Sequence, residues 1–108
     1  MIMIKAIVRP ERSNLIIDEL AKVGFTAVTE MDVYGRGKQK GIKIGSVVYD
    51  ELPKTMLLMI VNDEDEHQVV DVIMKFARTG ENGNIGDGRI FVSPVDKAYT
   101  ISTMTEGL

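Results

Sequence analysis

The chain opens on an apolar run rich in β-branched residues, Met1–Val8 (MIMIKAIV). A run of this length and type predicts a buried strand. Arg9-Pro10 ends it, because proline cannot donate to a sheet ladder. The spacing then lengthens: Ile16, Ile17, Leu20, Ala21 and Val23 recur at helical intervals. They predict a helix that begins at Glu11 or Ser13 and runs to about Val23, with Gly24 suited to its C-terminal cap. Phe25–Tyr34 alternates, with Phe25, Ala27, Thr29, Met31 and Val33 on one face, as in a half-buried strand. Lys54–Val61 (KTMLLMIV) is continuously apolar after its lysine and reads as a central strand. Asn62 or Asp63 caps the next helix, about Glu64 to Arg78. Acidic residues crowd its start, and Lys75 and Arg78 sit at its end, as the helix dipole favours. Its inner face is Val69, Val70, Ile73, Met74, Phe76 and Ala77. The methionines read as core filler. Ile90–Ser93 is a fourth strand, stopped by Pro94. Tyr99–Thr103 reads as a short fifth strand at an edge.

The order is β-α-β, a long loop, then β-α-β. Two such halves make an α+β, ferredoxin-like βαββαβ sandwich, with two helices on one face of an antiparallel sheet. No linker interrupts residues 1–108, which read as one domain. The sheet's other face is also apolar, since continuous runs such as Thr55–Val61 point both ways. Apolar surface left in water costs about 25 cal/mol per Å². That face is expected to be buried against other subunits.

Two glycine-rich stretches fall outside the periodic pattern. Thr79–Val92 reads TGENGNIGDGRIFV, with Gly80, Gly83, Gly86 and Gly88 close together and Arg89 at the exit. Main-chain N–H groups without side chains in the way can wrap an anion such as phosphate, and an arginine forks onto its oxygens. The plain alternative is a long turn that uses glycine for its backbone geometry. The spacing is neither that of a P-loop nor that of a dinucleotide fingerprint, and the order here is helix, loop, strand. The second stretch, Gly35-Arg36-Gly37-Lys38-Gln39-Lys40-Gly41, packs three glycines and three cations into seven residues. It opens a loop whose later part, Ile42–Tyr49, either pairs as a hairpin or stays mobile. Loops of this length are commonly functional.

Composition narrows the chemistry. With no cysteine, the chain has no disulfide, thiolate metal site or cysteine nucleophile. The single histidine, His67, lies in an acidic first turn and reads as a surface residue. A net charge of −3 argues against broad nucleic-acid binding. The strands Met1–Val8 and Lys54–Val61 also lack the exposed aromatics on which RNA-recognition domains of this topology stack bases. No apolar run reaches membrane-spanning length, and charges at Arg9, Glu11 and Arg12 break the N-terminal stretch too early for a signal peptide. A cytoplasmic protein is expected.

On this fold the two loops resemble those of the PII signal-transduction family over nearly the whole chain. The first family motif, GxGRQKG, corresponds to Gly35–Gly41. The second, TGxIGDGKIFV, corresponds to Thr79-Gly80 followed by Ile85–Val92, with two or three extra residues between Gly80 and Ile85. Leu52-Pro53-Lys54 matches the triplet before the central strand. The resemblance implies a trimer that binds ATP or ADP between subunits, and 2-oxoglutarate through a magnesium bridged by ATP. A target-docking T-loop would span about 36–52 and a phosphate loop about 79–89. It implies that Gly35, Lys38, Gln39, Gly86, Asp87, Gly88 and Arg89 contact the nucleotide, with Thr29 near the adenine. It further implies Gln39 as magnesium ligand, Lys54 and Gly86 with Gln39 at the 2-oxoglutarate, and Arg36, Lys40, Lys43 and Tyr49 on the docking loop.

The chain departs from the family in three places. Lys38 and Arg89 each replace one cation type by the other, and the family's two C-terminal arginines align with Thr100 and Ser102. The T-loop is about four residues short and lacks the family's modified tyrosine. GRGKQKGIK, VVYDELPKTMLLM and IFVSPV are similar to the nitrogenase-regulating PII-like branch (NifI, first type). That branch implies action with a second PII-like chain and direct inhibition of dinitrogenase, relieved by 2-oxoglutarate with ATP. A regulator rather than an enzyme is therefore expected. The alternatives are a PII regulator of an ammonium transporter and a small nucleotide-hydrolysing enzyme. The latter would have Asp87, Arg89 and Lys54 but no nucleophile–base pair.

Overall fold

Alternation along β1 (Ile2–Val8) sets the layering: Ile2, Ile4, Ala6 and Val8 are buried, while Met3, Lys5 and Ile7 face the other way. The computed structural model describes residues 1–36, 42–44, 47–49 and 51–108, with 42–44 and 47–49 described by their backbone alone. Helix α1 (Pro10–Lys22) starts at the proline itself, ahead of the expected Glu11 or Ser13. Proline suits the first helical position, where its missing N–H leaves no bond unmade. Ser13, Ile16 and Leu20 are its buried stripe. The helix ends in a Schellman turn: the Gly24 N–H donates to the Ala21 carbonyl at 3.0 Å and the Phe25 N–H to the Leu20 carbonyl at 2.9 Å. This turn folds Phe25 back against the core, so the second strand, β2 (Thr29–Gly35), starts later than the alternation suggested.

β3 (Ile42–Ile44) and β4 (Val47–Tyr49) pair antiparallel, Ile42 opposite Tyr49, so the first reading of that stretch holds. β5 (Leu52–Val61) begins two residues before the expected Lys54. It runs through Pro53, opposite Tyr34, where its other neighbour β1 has already ended at the Val8–Thr55 pair. A proline is tolerated where no ladder partner awaits its N–H. A 3₁₀ turn (Asp63–Asp65) leads into α2 (Glu66–Ala77). Val69, Ile73 and Ala77 form the buried stripe of α2. Met74 is 51% exposed, against its expected place on the inner face. It lies about 100° around the helix from Ile73. The core-filler reading holds for Met59, but Met31 and Met104 are exposed. His67 is exposed, as expected.

β6 (Gly88–Pro94) completes an antiparallel sheet in the order β2-β5-β1-β6. Both helices pack on one face over Ile4, Ala6, Leu57, Met59 and Val61. The ferredoxin-like α+β sandwich is the observed fold. The C-terminal strand is not an edge of this sheet. Tyr99–Thr100 (β7) pairs with Thr105–Glu106 (β8) in a separate ribbon, because the turn between them folds the chain back on itself.

The register puts Met3, Ile7, Met31, Val33, Met56, Leu58, Ile60 and Phe91 together on the helix-free face. Phe91 is 50% exposed and Met31 41%.

Candidate functional site

Antiparallel pairing gathers both glycine stretches at one end of the sheet. Gly35 lies opposite Leu52, and Val8 lies opposite both Thr55 and Gly88. Gly88 is the tightest point. A Cβ there would sit 1.9 Å from the Ile7 carbonyl oxygen, and its φ is +122°. Only glycine lets the loop enter β6 this close to β1.

The loop between α2 and β6 is organised around the Asp87 carboxylate. One oxygen accepts from the Arg9 Nε at 3.0 Å and from the Thr79 hydroxyl at 2.5 Å. The other accepts the main-chain N–H groups of Thr79 at 3.0 Å and Asn84 at 2.8 Å. Burial alone would raise this carboxyl's pKa. The hydrogen bonds from Thr79, then Asn84 and Arg9, outweigh it and hold the group well below the usual carboxylate range. The Asp87 N–H itself donates to the Asn84 carbonyl at 3.1 Å. Asp87 therefore spends its carboxylate on the loop itself and on Arg9. The Asn84 side-chain amide closes the turn by donating to the Thr79 carbonyl and hydroxyl.

Two cations hold the loop's successive carbonyls. The Arg9 Nη2 donates to the Ile85 oxygen at 3.1 Å, and the Lys54 Nζ to the Gly86 oxygen at 2.6 Å. Burial, then the neighbouring Arg9 charge, lowers the Lys54 pKa, with Glu11 and Asp87 opposing. The resulting cleft, of about 600 Å³, has Gly35, Arg36, Lys54, Gly86, Gly88 and Arg89 on its polar side. Ile7, Leu52, Ile85 and Phe91 form its apolar walls. Its size is that of a small-molecule pocket. At its mouth Arg36 pairs with Glu51 at 3.0 Å, both side chains being well exposed. A second cleft, of about 740 Å³, lies on the helix side between α2 and β6 and, among the described residues, shares Asp87, Gly88 and Arg89 with the expected site.

Gly35, Lys54, Gly86, Asp87, Gly88 and Arg89 are thus brought together, with Arg36 beside them. Thr29 is not: it opens β2, on the far edge strand and at the other end of the sheet from Gly35. Gly35 is six residue steps along the strand from Thr29, or about 20 Å. Lys38, Gln39 and Lys40 lie outside the described residues. Lys43 falls in β3 and Tyr49 in β4, known by their backbone alone. Thr100, at a family arginine position, donates its hydroxyl to the Gly107 carbonyl at 2.9 Å.

Sequence reading passed over Arg9, Thr79, Asn84 and Glu51. The signal for Arg9 was topological. Once β1 and β6 are antiparallel neighbours, the residue after Val8 must meet the residue before Gly88.

A ferredoxin-like sheet with a glycine-loop cleft at the root of its long loop is the plan of the P-II regulators. The chain belongs to that family: the model for nitrogen regulatory protein P-II matches residues 1–105. The recognition drawn from the two motifs is borne out. Over 106 residues, 98% of both chains, it is 55% identical to the nitrogen fixation nifHD region glnB-like protein 1 of Methanococcus maripaludis. The protein of the same name from Methanothermobacter marburgensis is 54% identical over the same share. The nitrogen regulatory protein P-II 2 of Methanothermobacter thermautotrophicus is 42% identical over 108 residues, 96% of this chain and 91% of that one. These names agree with the nitrogenase-associated branch. No helix among the described residues is long and apolar enough to cross a membrane.

Proposed function

We propose that this chain is a cytoplasmic P-II-type sensor that binds ATP or ADP with 2-oxoglutarate and controls nitrogenase by direct contact through residues 36–52. One observation carries the reading. The Lys54 Nζ, 2.6 Å from the Gly86 oxygen, joins the expected carboxylate-binding cation to the expected phosphate loop in one cleft. The residues fit the ligands. Lys54 offers a point charge to a carboxylate, and Arg89 a forked donor to phosphate. Among the described residues, the Ile85 and Gly86 N–H groups have no hydrogen-bond acceptor, so they remain for an anion. Magnesium would be held by nucleotide oxygens and by Gln39, since hard cations take oxygen ligands. Among the described residues no cluster of three or more His, Cys, Asp or Glu is placed to hold a metal by itself.

Thr29, far from the cleft in its own chain, would reach the nucleotide from a neighbouring copy. The apolar face around Met56 and Phe91 supports such an assembly, a homotrimer or a mixed ring with a second P-II-like chain. Effectors would act by favouring one posture of the loop rooted at Gly35 and Leu52. A ligand shifts such an equilibrium only by its differential affinity for the two postures. The nitrogen-fixation names of the relatives support nitrogenase as the target. Calorimetry with ATP, Mg²⁺ and 2-oxoglutarate tests the sensing. No heat at millimolar ligand, for the chain alone and with its sister chain, refutes it. Co-purification from nitrogen-fixing cells tests the target, and capture of an ammonium transporter in place of dinitrogenase would replace that part of the reading.

A further inference from the structure

A loop with four glycines in nine residues should be among the least ordered parts of the chain. Here it is closed on itself by hydrogen bonds of its own. Asp87 supplies the anion around which it closes: two main-chain N–H groups, one hydroxyl and one guanidinium converge on its carboxylate. The Arg9–Asp87 pair is largely buried, with side-chain exposures of 18% and 16%. The same guanidinium holds the Ile85 carbonyl. Asn84, in the stretch that lengthens this loop relative to the family motif, adds the third tie by bridging Thr79 and Asp87.

We propose that Arg9, Asp87 and Asn84 are positioning residues that set the glycine loop before any ligand arrives, with Asp87 acting through the loop and not by touching the phosphate. A loop ordered in advance loses less entropy when an anion binds, so the latch contributes affinity without a contact. This rests on the sensor reading above, but it makes a claim of opposite sign to the simplest electrostatic one. A carboxylate that merely faced a polyphosphate would repel it, and removing the charge would tighten binding. A carboxylate that holds the loop's donors in place does the reverse.

The experiment compares ATP binding by calorimetry for the full chain and for Asp87→Asn, Arg9→Gln, the double variant and Asn84→Ala. Hydrogen exchange at the Thr79 and Asn84 amides is followed in the ligand-free proteins. The expected result is at least about tenfold weaker ATP binding for Asp87→Asn and for Arg9→Gln. The double variant should be little worse than either single one, because the two act as a unit. Exposed Asn84→Ala should keep the fold, bind several-fold more weakly and exchange faster at the Thr79 amide. Tighter or unchanged binding by Asp87→Asn overturns the proposal, as does full additivity. If the unaltered chain binds no ATP, the sensor reading fails, and exchange alone decides the latch. Faster exchange in the variants then upholds loop setting, and unchanged exchange overturns it.

Discussion

Replacing Gly88 by alanine should be among the most damaging single-methyl additions in this chain. The new Cβ would lie 1.9 Å from the Ile7 carbonyl oxygen, 3.0 Å from its carbon and 3.2 Å from the Val8 Cα. A carbon approaches a carbonyl oxygen no closer than about 3.3 Å without strain. The obstacle is backbone, so no rotamer change relieves it. β6 must move away from β1 by more than an ångström at the Val8–Gly88 pair. Losing two or three ladder hydrogen bonds costs about 2–3 kcal/mol. Holding an alanine at φ +122° adds about 1–2 kcal/mol. The sum, about 3–5 kcal/mol, is a large part of the 5–15 kcal/mol typical of a domain. In thermal denaturation at fixed protein concentration it should lower Tm by about 12 °C or more. Gly24→Ala is the matched control. Gly24 also has a positive φ, +97°, but a Cβ there meets nothing within 4 Å. It should lose only the conformational part, about 1–2 kcal/mol. Equal losses for the two variants, to within about 1 kcal/mol, would refute the collision argument.

The Asp87 carboxyl is held below the usual carboxylate range, so the unfolded chain takes up that proton more readily than the folded one. Its stabilisation is complete above about pH 5 and fades as pH falls through and below the ordinary carboxylate range. Denaturant midpoints of the unaltered protein and Asp87→Asn should therefore differ most near neutrality and converge on acidification. Lys54→Met should abolish the 2-oxoglutarate heat in calorimetry while ATP alone still binds, with affinity reduced by tenfold or less; loss of both would show that Lys54 serves the phosphates instead. Met56→Asp puts a charge on the helix-free face, opposite Ile7 and Met31. Light scattering should find that variant dissociated at concentrations where the parent chain is associated.

The element order and the helix-bearing side of the sheet were legible because hydrophobic periodicity is a local property. Ile4, Leu20, Leu57 and Ile73 sit where their spacing places them. Boundaries were less so. Phe25 alternates correctly for a strand, yet the Schellman turn at Gly24 takes its N–H for the Leu20 carbonyl, a bond that no pattern of side chains announces. Met74 looks apolar enough for the core and is half in water, because the stripe through Val69, Ile73 and Ala77 already fills the space over the sheet. At the site, Gly86, Gly88, Arg89 and Lys54 were visible through motif and resemblance. Arg9 was not. It meets Asp87 across 78 residues of chain, and only the strand order makes them neighbours.

The pairing of Gly35 with Leu52 has an evolutionary reading. The excursion from 36 to 51 leaves and re-enters through adjacent strands, with Arg36 and Glu51 clasped across its neck. Its ends are fixed by the sheet whatever its interior does. Closing a longer or shorter segment between fixed ends changes the entropy by only about 0.6 kcal/mol per doubling. A segment anchored in this way is an exchangeable cassette: on the function proposed above, grafting the corresponding stretch from a relative should transplant the choice of client and leave the scaffold's melting behaviour nearly untouched.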